Sequence, residues 1–158
     1  MTAAAISEQQ SKALGAILRK FADECEAVAV AVCDVGGNIL AQEMRGEKPA
    51  IANAAALAAG SFAATRELAA LIEEPGFKSI FHRGRKSGVL IQAIGEEYLM
   101  LVILGPESIE GLVRLFLKNV GGQIETILSE ASRQGAGTAG AGAPFEVKAK
   151  GVAERKKK

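Results

Sequence analysis

Apolar positions in the first fifty residues predict one helix followed by two strands. Ser7 and Gln10 form a capping-box pattern for the start of a helix. Apolar residues then recur at helical spacing, which predicts a helix to about Glu24; they are Leu14, Ile17, Leu18 and Phe21. The stretch AVAVAVCDV then alternates as a strand does, Gly36 and Gly37 suit a tight turn, and NILAQEM follows as the returning strand. We therefore predict a helix and a β-hairpin.

The second half of the chain predicts three more strands and a last helix. FKSIFHRGR carries basic side chains at its end and is predicted as an edge strand, VLIQAIG follows it, and the continuous apolar run YLMLVIL belongs in the middle of a sheet. Gly105-Pro106-Glu107 opens a helix that ends near Ser132. Its predicted buried stripe comprises Ile109, Leu112, Val113, Phe116, Val120, Ile124, Ile127 and Leu128.

Two glycines, Gly121 and Gly122, lie inside this last helix. Each costs about 1 kcal/mol relative to alanine in a helix interior. They indicate either a close packing contact or a weak point of the helix, and the sequence leaves both interpretations open.

The helix predicted over Ile51 to Ile72 separates the hairpin from the later strands. Its large apolar residues fall in one arc at about 100° per residue, and we expect this arc to pack on the sheet. The arc comprises Ile51, Leu57, Phe62, Leu68, Leu71 and Ile72. The opposite face is made of small residues with one arginine and one glutamate, namely Ala56, Ala59, Gly60, Ala63, Arg66, Glu67 and Ala70.

The small residues of this opposite face have two interpretations. A solvated helix surface usually carries Lys and Glu, so an alanine and glycine face predicts a surface that another chain approaches closely. Alanine is also the best helix former, and an alanine-rich helix needs no partner. We favour the partner surface.

The predicted order is α-β-β-α-β-β-β-α, with one long crossover through the central helix. This order predicts an α+β domain with a five-stranded antiparallel sheet and helices on its faces. We assign residues 1–134 to this domain. Residues 135–158 are predicted to be a flexible Gly/Ala-rich linker and a basic tail. Within the tail, Pro144-Phe145-Glu146-Val147 is a short apolar segment that either binds a partner or is inert.

Charge and cysteine content indicate the cellular compartment that the chain suits. The net charge is +1, but the last eleven residues are strongly basic, which leaves the rest of the chain mildly acidic. Cys25 and Cys33 form no CxxC motif and are expected to be free, buried thiols in the reducing cytoplasm. No signal peptide is expected at the start of the chain, and the uncharged stretch from Pro49 to Thr65 is too short to cross a bilayer.

The sequence offers little catalytic chemistry. His82 is the only histidine, and Asp34, beside a glycine turn, is expected to serve that turn. The segment Gly84-Arg85-Lys86-Ser87-Gly88 lacks the glycine before lysine and the following helix of a phosphate-binding loop. The basic tail lacks interleaved aromatic residues, so nucleic-acid binding is not expected. We therefore predict no catalytic residues, no metal site and no cofactor, and a protein that works by contact.

Several segments resemble the Roadblock domain family, most closely its bacterial gliding-motility regulators of the MglB type. They are LxAG at Leu57 to Gly60, FHRG at Phe81 to Gly84 and GLVRL at Gly111 to Leu115. The tail sequence GAGAPF at Gly140 to Phe145 is similar to a segment beyond the domain in such proteins. The resemblance covers roughly Ala4 to Glu130 and implies a Roadblock/profilin-like fold.

The resemblance also implies an assembly and a partner. Third strands would pair edge to edge in a homodimer, through Lys78, Ile80 and His82, and the central helices would lie side by side. A small Ras-like GTPase of the MglA type would bind across the helix pair. The implied activity is GTPase activation by holding the GTPase's own switch residues in place, without an inserted arginine. Phe145 would be a further contact in the tail.

This chain departs from the MglB type in two places. Arg66 and Glu67 stand where those proteins have smaller residues, and the tail after Phe145 is basic rather than acidic. The docking face is therefore expected to suit a different GTPase or a different angle, and the tail to lack the relatives' role or to meet an oppositely charged partner. Two alternatives to an activator are also open. One is a dimeric adaptor that binds a GTPase or a cytoskeletal partner without changing turnover. The other is an enzyme or small-ligand sensor, which the polar residues do not support.

Overall fold

The computed structural model of this chain describes residues 5–46 and 50–139, with side chains as far as residue 135. Eight elements occur in the predicted order. They are α1 (Glu8–Cys25), β1 (Ala27–Asp34), β2 (Ile39–Met44), α2 (Ile51–Leu71), β3 (Ser79–Arg83), β4 (Gly88–Ile94), β5 (Tyr98–Leu104) and α3 (Glu110–Ala139).

The strands form one five-stranded sheet in the order β2-β1-β5-β4-β3, and every neighbouring pair is antiparallel. The predicted α+β fold is confirmed. The apolar strand β5 lies in the middle of the sheet, and β3 lies at an edge, both as predicted.

Helices α1 and α3 pack together on one face of the sheet. The predicted capping box starts α1, since the Ser7 hydroxyl accepts from the Gln10 amide and the Gln10 side chain accepts from the Ser7 amide. Large side chains of α1, including Leu18 and Phe21, are buried with Val30 and Met100 of the sheet. This face therefore holds a core of large interlocking residues.

Helix α2 covers the other face of the sheet through small residues. It buries Ala55, Ala58 and Ala59 together with Phe62, and β1 presents Ala29, Ala31 and Cys33 to the same cluster. Small side chains on both sides allow a close approach of helix and strand. An alanine face of α2 therefore lies against the sheet.

The prediction that the large apolar arc of α2 packs on the sheet is wrong for four of its six residues. Ile51 and Phe62 are buried, but Leu57, Leu68, Leu71 and Ile72 are 73%, 53%, 82% and 60% exposed. The physical reason is that small residues on both β1 and α2 bring the two backbones close together, so that Ile51 and Phe62 are the large α2 residues of this arc that are buried there, in the cluster that also holds larger residues of β4 and β5.

The opposite, small-residue face is only partly where it was predicted. Ala56, Gly60, Ala63, Arg66, Glu67 and Ala70 are exposed. Ala59 is only 5% exposed and belongs to the α2 core cluster. Its predicted place on the outer surface is therefore wrong, because the helix is rotated to put alanines, rather than leucines, on the sheet.

Helix α3 differs from its prediction at both ends. It begins at Glu110 and continues to Ala139, past the predicted end near Ser132 and past the predicted domain boundary at residue 134. Ile109 precedes the helix and is 65% exposed, and Leu112 is 36% exposed, so neither belongs to the buried stripe. Residues 140–158, with Phe145 and the basic tail, lie outside the described residues.

The hairpin turn between β1 and β2 packs closely against α2. Asp34 accepts hydrogen bonds from the Gly36 and Asn38 amides, as its predicted turn role requires. Partial burial acts to raise the Asp34 pKa, but the hydrogen bonds outweigh it and the pKa is lowered. Gly37 has φ +86°, and a Cβ there would lie 2.7 Å from the Ala56 Cα. The turn therefore needs glycine for both its conformation and its contact.

Both cysteines are free and buried, as predicted. Burial, with a smaller contribution from Glu24, raises the pKa of Cys25 to about 11. Burial, with a smaller contribution from Asp34, raises the pKa of Cys33 to about 11. Neither thiol is activated as a nucleophile.

Candidate protein-binding surface

The outward side of α2 carries an apolar surface that we call the leucine strip, formed by Leu57, Leu68, Leu71 and Ile72. At about 100° per residue these four positions share the side of the helix that faces away from the sheet. Single exposed apolar residues are ordinary, but four large ones on one side of one helix are typical of a surface that another protein covers.

Beside the leucine strip lies a second surface, which we call the alanine flank. Its members are the exposed residues Ala56, Gly60, Ala63, Arg66, Glu67 and Ala70. An open hollow of about 270 Å³ lies along this flank, between α2 and the sheet. The hollow is lined by Val35, Ala59, Phe62, Ala63, Arg66, Glu67 and Leu99.

The hollow combines an apolar floor with one positive and one negative side chain at its rim. Ala59 and Phe62 are buried in the floor, whereas Arg66 and Glu67 are exposed. In the described part of the chain, neither Arg66 nor Glu67 forms a salt bridge. Both charges are therefore available to a partner that approaches the flank.

Strand β3 offers a second kind of contact, because one of its edges is unpaired within the sheet. It hydrogen-bonds to β4 and has no other neighbouring strand among the residues that the structure describes. Ile80 is half-buried on the α2 side, and His82 is exposed. Lys78 is exposed and precedes the strand. The three predicted edge residues therefore lie together along an edge that can pair with another strand.

On the face of the sheet that carries α1 and α3, an ionic cluster connects β3 to α3. Glu110 accepts a hydrogen bond from Arg83 of β3, and another, at 3.0 Å, from Arg114 Nε of its own helix. The two guanidinium groups lie 5.7 Å and 5.4 Å from the centre of the Phe81 ring. Hydrogen bonds from Arg83 and then Arg114 lower the pKa of Glu110. The cluster holds β3 in place beside α3.

Within residues 5–46 and 50–139, no group of three or more His, Cys, Asp and Glu side chains is arranged to hold a metal ion. His82 has no hydrogen bond or salt bridge through its side chain in the same ranges. The described helices include none with the length and apolar character needed to cross a bilayer.

The sheet with one helix on one face and two on the other defines a profilin-like α+β domain. Profilin IB of Acanthamoeba castellanii has this fold, with a TM-score of 0.52 at 13% identity over 72% of this chain and 97% of that one. A sequence profile of the Roadblock/LC7 domain matches residues 3–104. The chain therefore belongs to the Roadblock/LC7 domain family.

Solved MglB structures are similar over most of their length. An MglB with a tetrameric arrangement is 24% identical, with a TM-score of 0.79 over 83% of this chain and 98% of that one. MglB of Myxococcus xanthus is 25% identical, with a TM-score of 0.74 over 80% and 96% of the two chains. No curated protein matches the chain.

The sequence did not identify the leucine strip as part of the candidate surface. Its four residues were assigned to the core because they are large and share one side of the helix. The signal that could have placed them outside is in β1, where Ala29 and Ala31 alternate with Val30 and Val32. This alternation gives one face of the strand small residues only, which suit a helix that packs through alanine.

Proposed function

We propose that this protein is a homodimeric, cytoplasmic regulator of a small Ras-like GTPase of the MglA type. It raises GTP hydrolysis by positioning the GTPase's own switch residues, and the GTPase remains the enzyme. The observation that carries the proposal is the leucine strip, four exposed large apolar residues on the outward side of α2 in a Roadblock fold similar to MglB.

Dimer formation explains the free edge and part of the exposed apolar surface. Two copies related by a two-fold axis present the same surface to each other, so β3 of one copy pairs antiparallel with β3 of the other. This pairing joins the two sheets and brings the two α2 helices to the same face. Half-buried Ile80 and the exposed leucine strip then gain neighbours, which favours association through loss of apolar surface from water.

The GTPase is proposed to bind across the α2 pair, against the alanine flank. Small side chains at Ala56, Gly60 and Ala63 let a partner backbone approach closely, and Arg66 and Glu67 flank that approach with one charge of each sign. A rigid helical surface of this kind can hold a mobile switch segment in one conformation. Positioning and preorganisation are large contributions to phosphoryl transfer, for which a GTPase already carries the nucleophile-orienting residue and magnesium site.

The central test combines association with turnover. The purified full chain is mixed with an MglA-type GTPase encoded in the same genome, and phosphate release and molecular mass are measured together. We expect a dimer alone, a complex with the GTP-bound GTPase, and phosphate release well above the intrinsic rate. A bound complex with unchanged phosphate release would replace the activator with the adaptor. A strictly monomeric chain without a complex would reject both.

A matched pair of leucine variants tests where contact occurs. Leu71 and Leu115 are both helical and exposed, at 82% and 64%, but Leu71 belongs to the leucine strip and Leu115 to α3. Leu71→Glu is expected to abolish dimer formation or GTPase binding, and Leu115→Glu to leave both unchanged. Ala63→Arg is expected to fold normally and to lose GTPase binding, because a long charged side chain prevents close approach to the flank. Equal behaviour of the two leucine variants would place the contact elsewhere.

A variant of Arg66, the one arginine of the alanine flank, distinguishes two mechanisms of activation. In one the protein only positions switch residues of the GTPase, and in the other it inserts an arginine into the GTPase active site. An inserted arginine contributes roughly 10³-fold or more to GTP hydrolysis. If the protein only positions switch residues, Arg66→Ala retains most of the stimulated rate at saturating concentration. A loss of the stimulated rate by that factor, with binding intact, would identify Arg66 as an inserted arginine and overturn the positioning mechanism.

A further inference from the structure

A groove of about 610 Å³ lies between α3 and the strands β3 and β4, on the face of the sheet opposite α2. We call it the α3 groove. The buried side chains of Leu90, Ile94 and Leu117 form its floor. Its volume is in the range of sites that bind small ligands or a few residues of a peptide. Neither the leucine strip nor the alanine flank contributes to it.

The two glycines inside α3 both line this groove. A Cβ on Gly121 would lie 3.4 Å from Ile94 Cδ1, at the edge of ordinary van der Waals contact, so packing against the floor does not require glycine there. A Cβ on Gly122 would meet nothing within 4 Å. Gly122 therefore serves no packing contact within the described residues, and its missing side chain leaves the groove open.

The charges of the groove are mainly positive. Lys78, Arg114 and Lys118 line it, with Glu125 as the one acidic side chain among its lining residues. Arg114 already shares Glu110 with Arg83. Lys78 and Lys118 form no salt bridge with any described residue. The groove thus presents two uncompensated ammonium groups beside an apolar floor.

We propose that the α3 groove binds an acidic peptide segment of a partner protein. The peptide places an aliphatic side chain over the floor of Leu90, Ile94 and Leu117, and carboxylates near Lys118 and Lys78. From Arg114 to Glu125 the helix rises by about 17 Å, which is the length of about five extended residues. The groove shares Lys78 with the proposed dimer edge but shares no residue with α2, so binding beside Lys118 does not depend on regulation of a GTPase.

The shape and charge of the groove favour an acidic peptide over three other occupants. A bilayer is flat and cannot reach a floor recessed between a strand and a helix. Single-stranded nucleic acid needs exposed aromatic rings for stacking, and the nearby Phe81 ring is already flanked by two guanidinium groups. The chain's own tail carries six basic and two acidic residues after Ala139, so like charges oppose its binding.

Two substitutions block the groove in different ways. Gly122→Leu fills it, and because leucine is the better helix former, the variant is expected to fold at least as stably as the parent. Lys118→Glu reverses the charge of a residue without a salt bridge in the described chain. The matched controls are Gly111→Leu, at another exposed α3 glycine with free space, and Lys86→Glu, in the exposed β3–β4 turn.

The probe is a phage-displayed library of random peptides, selected on the full-length parent protein. Enriched sequences are synthesised with a fluorescent label and their dissociation constants measured by anisotropy. We expect acidic sequences with at least one aliphatic residue. Gly122→Leu and Lys118→Glu are each expected to weaken binding on the order of tenfold or more, and the two controls to leave it unchanged.

Other outcomes would overturn the proposal. These are no enrichment, enrichment of sequences without acidic residues, or equal binding by Gly122→Leu. Sedimentation of the parent with phosphatidylserine vesicles, lost on Lys118→Glu while no acidic peptide binds, would assign the groove to a membrane surface instead. Binding that is lost on Leu71→Glu but retained on Gly122→Leu would assign the peptide to α2.

Discussion

The two faces of the sheet use opposite packing strategies. Towards α1 and α3, large side chains such as Leu18 and Phe21 interlock with Val30 and Met100. Towards α2, alanines of β1 and of the helix share one cluster with the buried Ile51 and Phe62, and the four other large apolar side chains of the helix are exposed. The core of large residues still leaves Leu112 and Leu115 of α3 exposed, at 36% and 64%. A core of small residues leaves the helix with apolar surface to bury elsewhere, which makes the α2 face the place to seek a partner.

The largest effect is expected from the large-residue face. Leu18→Ala removes a fully buried side chain of α1 and is expected to lower the free energy of unfolding by about 2–5 kcal/mol. Leu115→Ala, on the exposed side of α3, is expected to change it by no more than about 0.5 kcal/mol. Urea unfolding measures both. Similar losses for the two variants would contradict the assignment of the core.

The hairpin turn beneath α2 is expected to show the next largest effect. Gly37 and Gly46 both have φ +86°, but only Gly37 has a backbone atom within reach of an added Cβ. Gly37→Ala combines positive-φ strain with that collision and is expected to cost about 2–4 kcal/mol. Gly46→Ala carries the strain alone and is expected to cost about 1–2 kcal/mol. Equal losses in thermal unfolding would show that the turn does not press on α2.

The small-residue face itself can be overfilled. Ala58 lies on the buried side of α2, which faces the sheet, and Ala64 lies on an exposed side of the same helix. Ala58→Leu is expected to cost about 1–3 kcal/mol, because the added carbons force helix and sheet apart. Ala64→Leu is expected to stay within about 0.5 kcal/mol at the same protein concentration. If Ala58→Leu unfolds at the same urea concentration as the parent, the close approach of α2 is wrong.

The smallest effect is expected at the ionic cluster beside β3. The pKa of Glu110 is lower in the folded chain than its ordinary value of 4.5, so the carboxylate contributes stability above that value and loses it as the pH falls through the lowered pKa. Glu110→Gln is expected to melt at a slightly lower temperature than the parent at pH 7. The difference should shrink as the pH falls below 4.5. A difference that persists unchanged in acid would mean that the charge of Glu110 is not its cause.

Local signals in the sequence were sufficient for most of the fold. The capping box of Ser7 and Gln10, the turn at Gly37 and the apolar run of β5 each depend on a few neighbouring residues, and all three occur as predicted. The order of elements and the antiparallel sheet followed from them.

The rotation of α2 could not be predicted in the same way. Both sides of that helix are apolar, so periodicity alone cannot tell whether Leu57 or Ala58 meets the sheet. The answer depends on β1, a distant segment whose facing residues are alanines. The α3 groove was missed for a similar reason, because Lys118 and Leu90 come together only through the packing of α3 on β4. The binding roles assigned to the α2 face and to the β3 edge remain predictions.

Strand β3 is a single layer of chain with a different neighbourhood on each side. Phe81 packs against the core under α1 and α3. The preceding residue, Ile80, packs against the α2 core on the other face of the sheet. A twist of this one strand must therefore displace atoms on both surfaces at once. The ion pair of Arg83 with Glu110 joins the same strand to the start of α3, so β3 connects the two cores and α3 through one short segment.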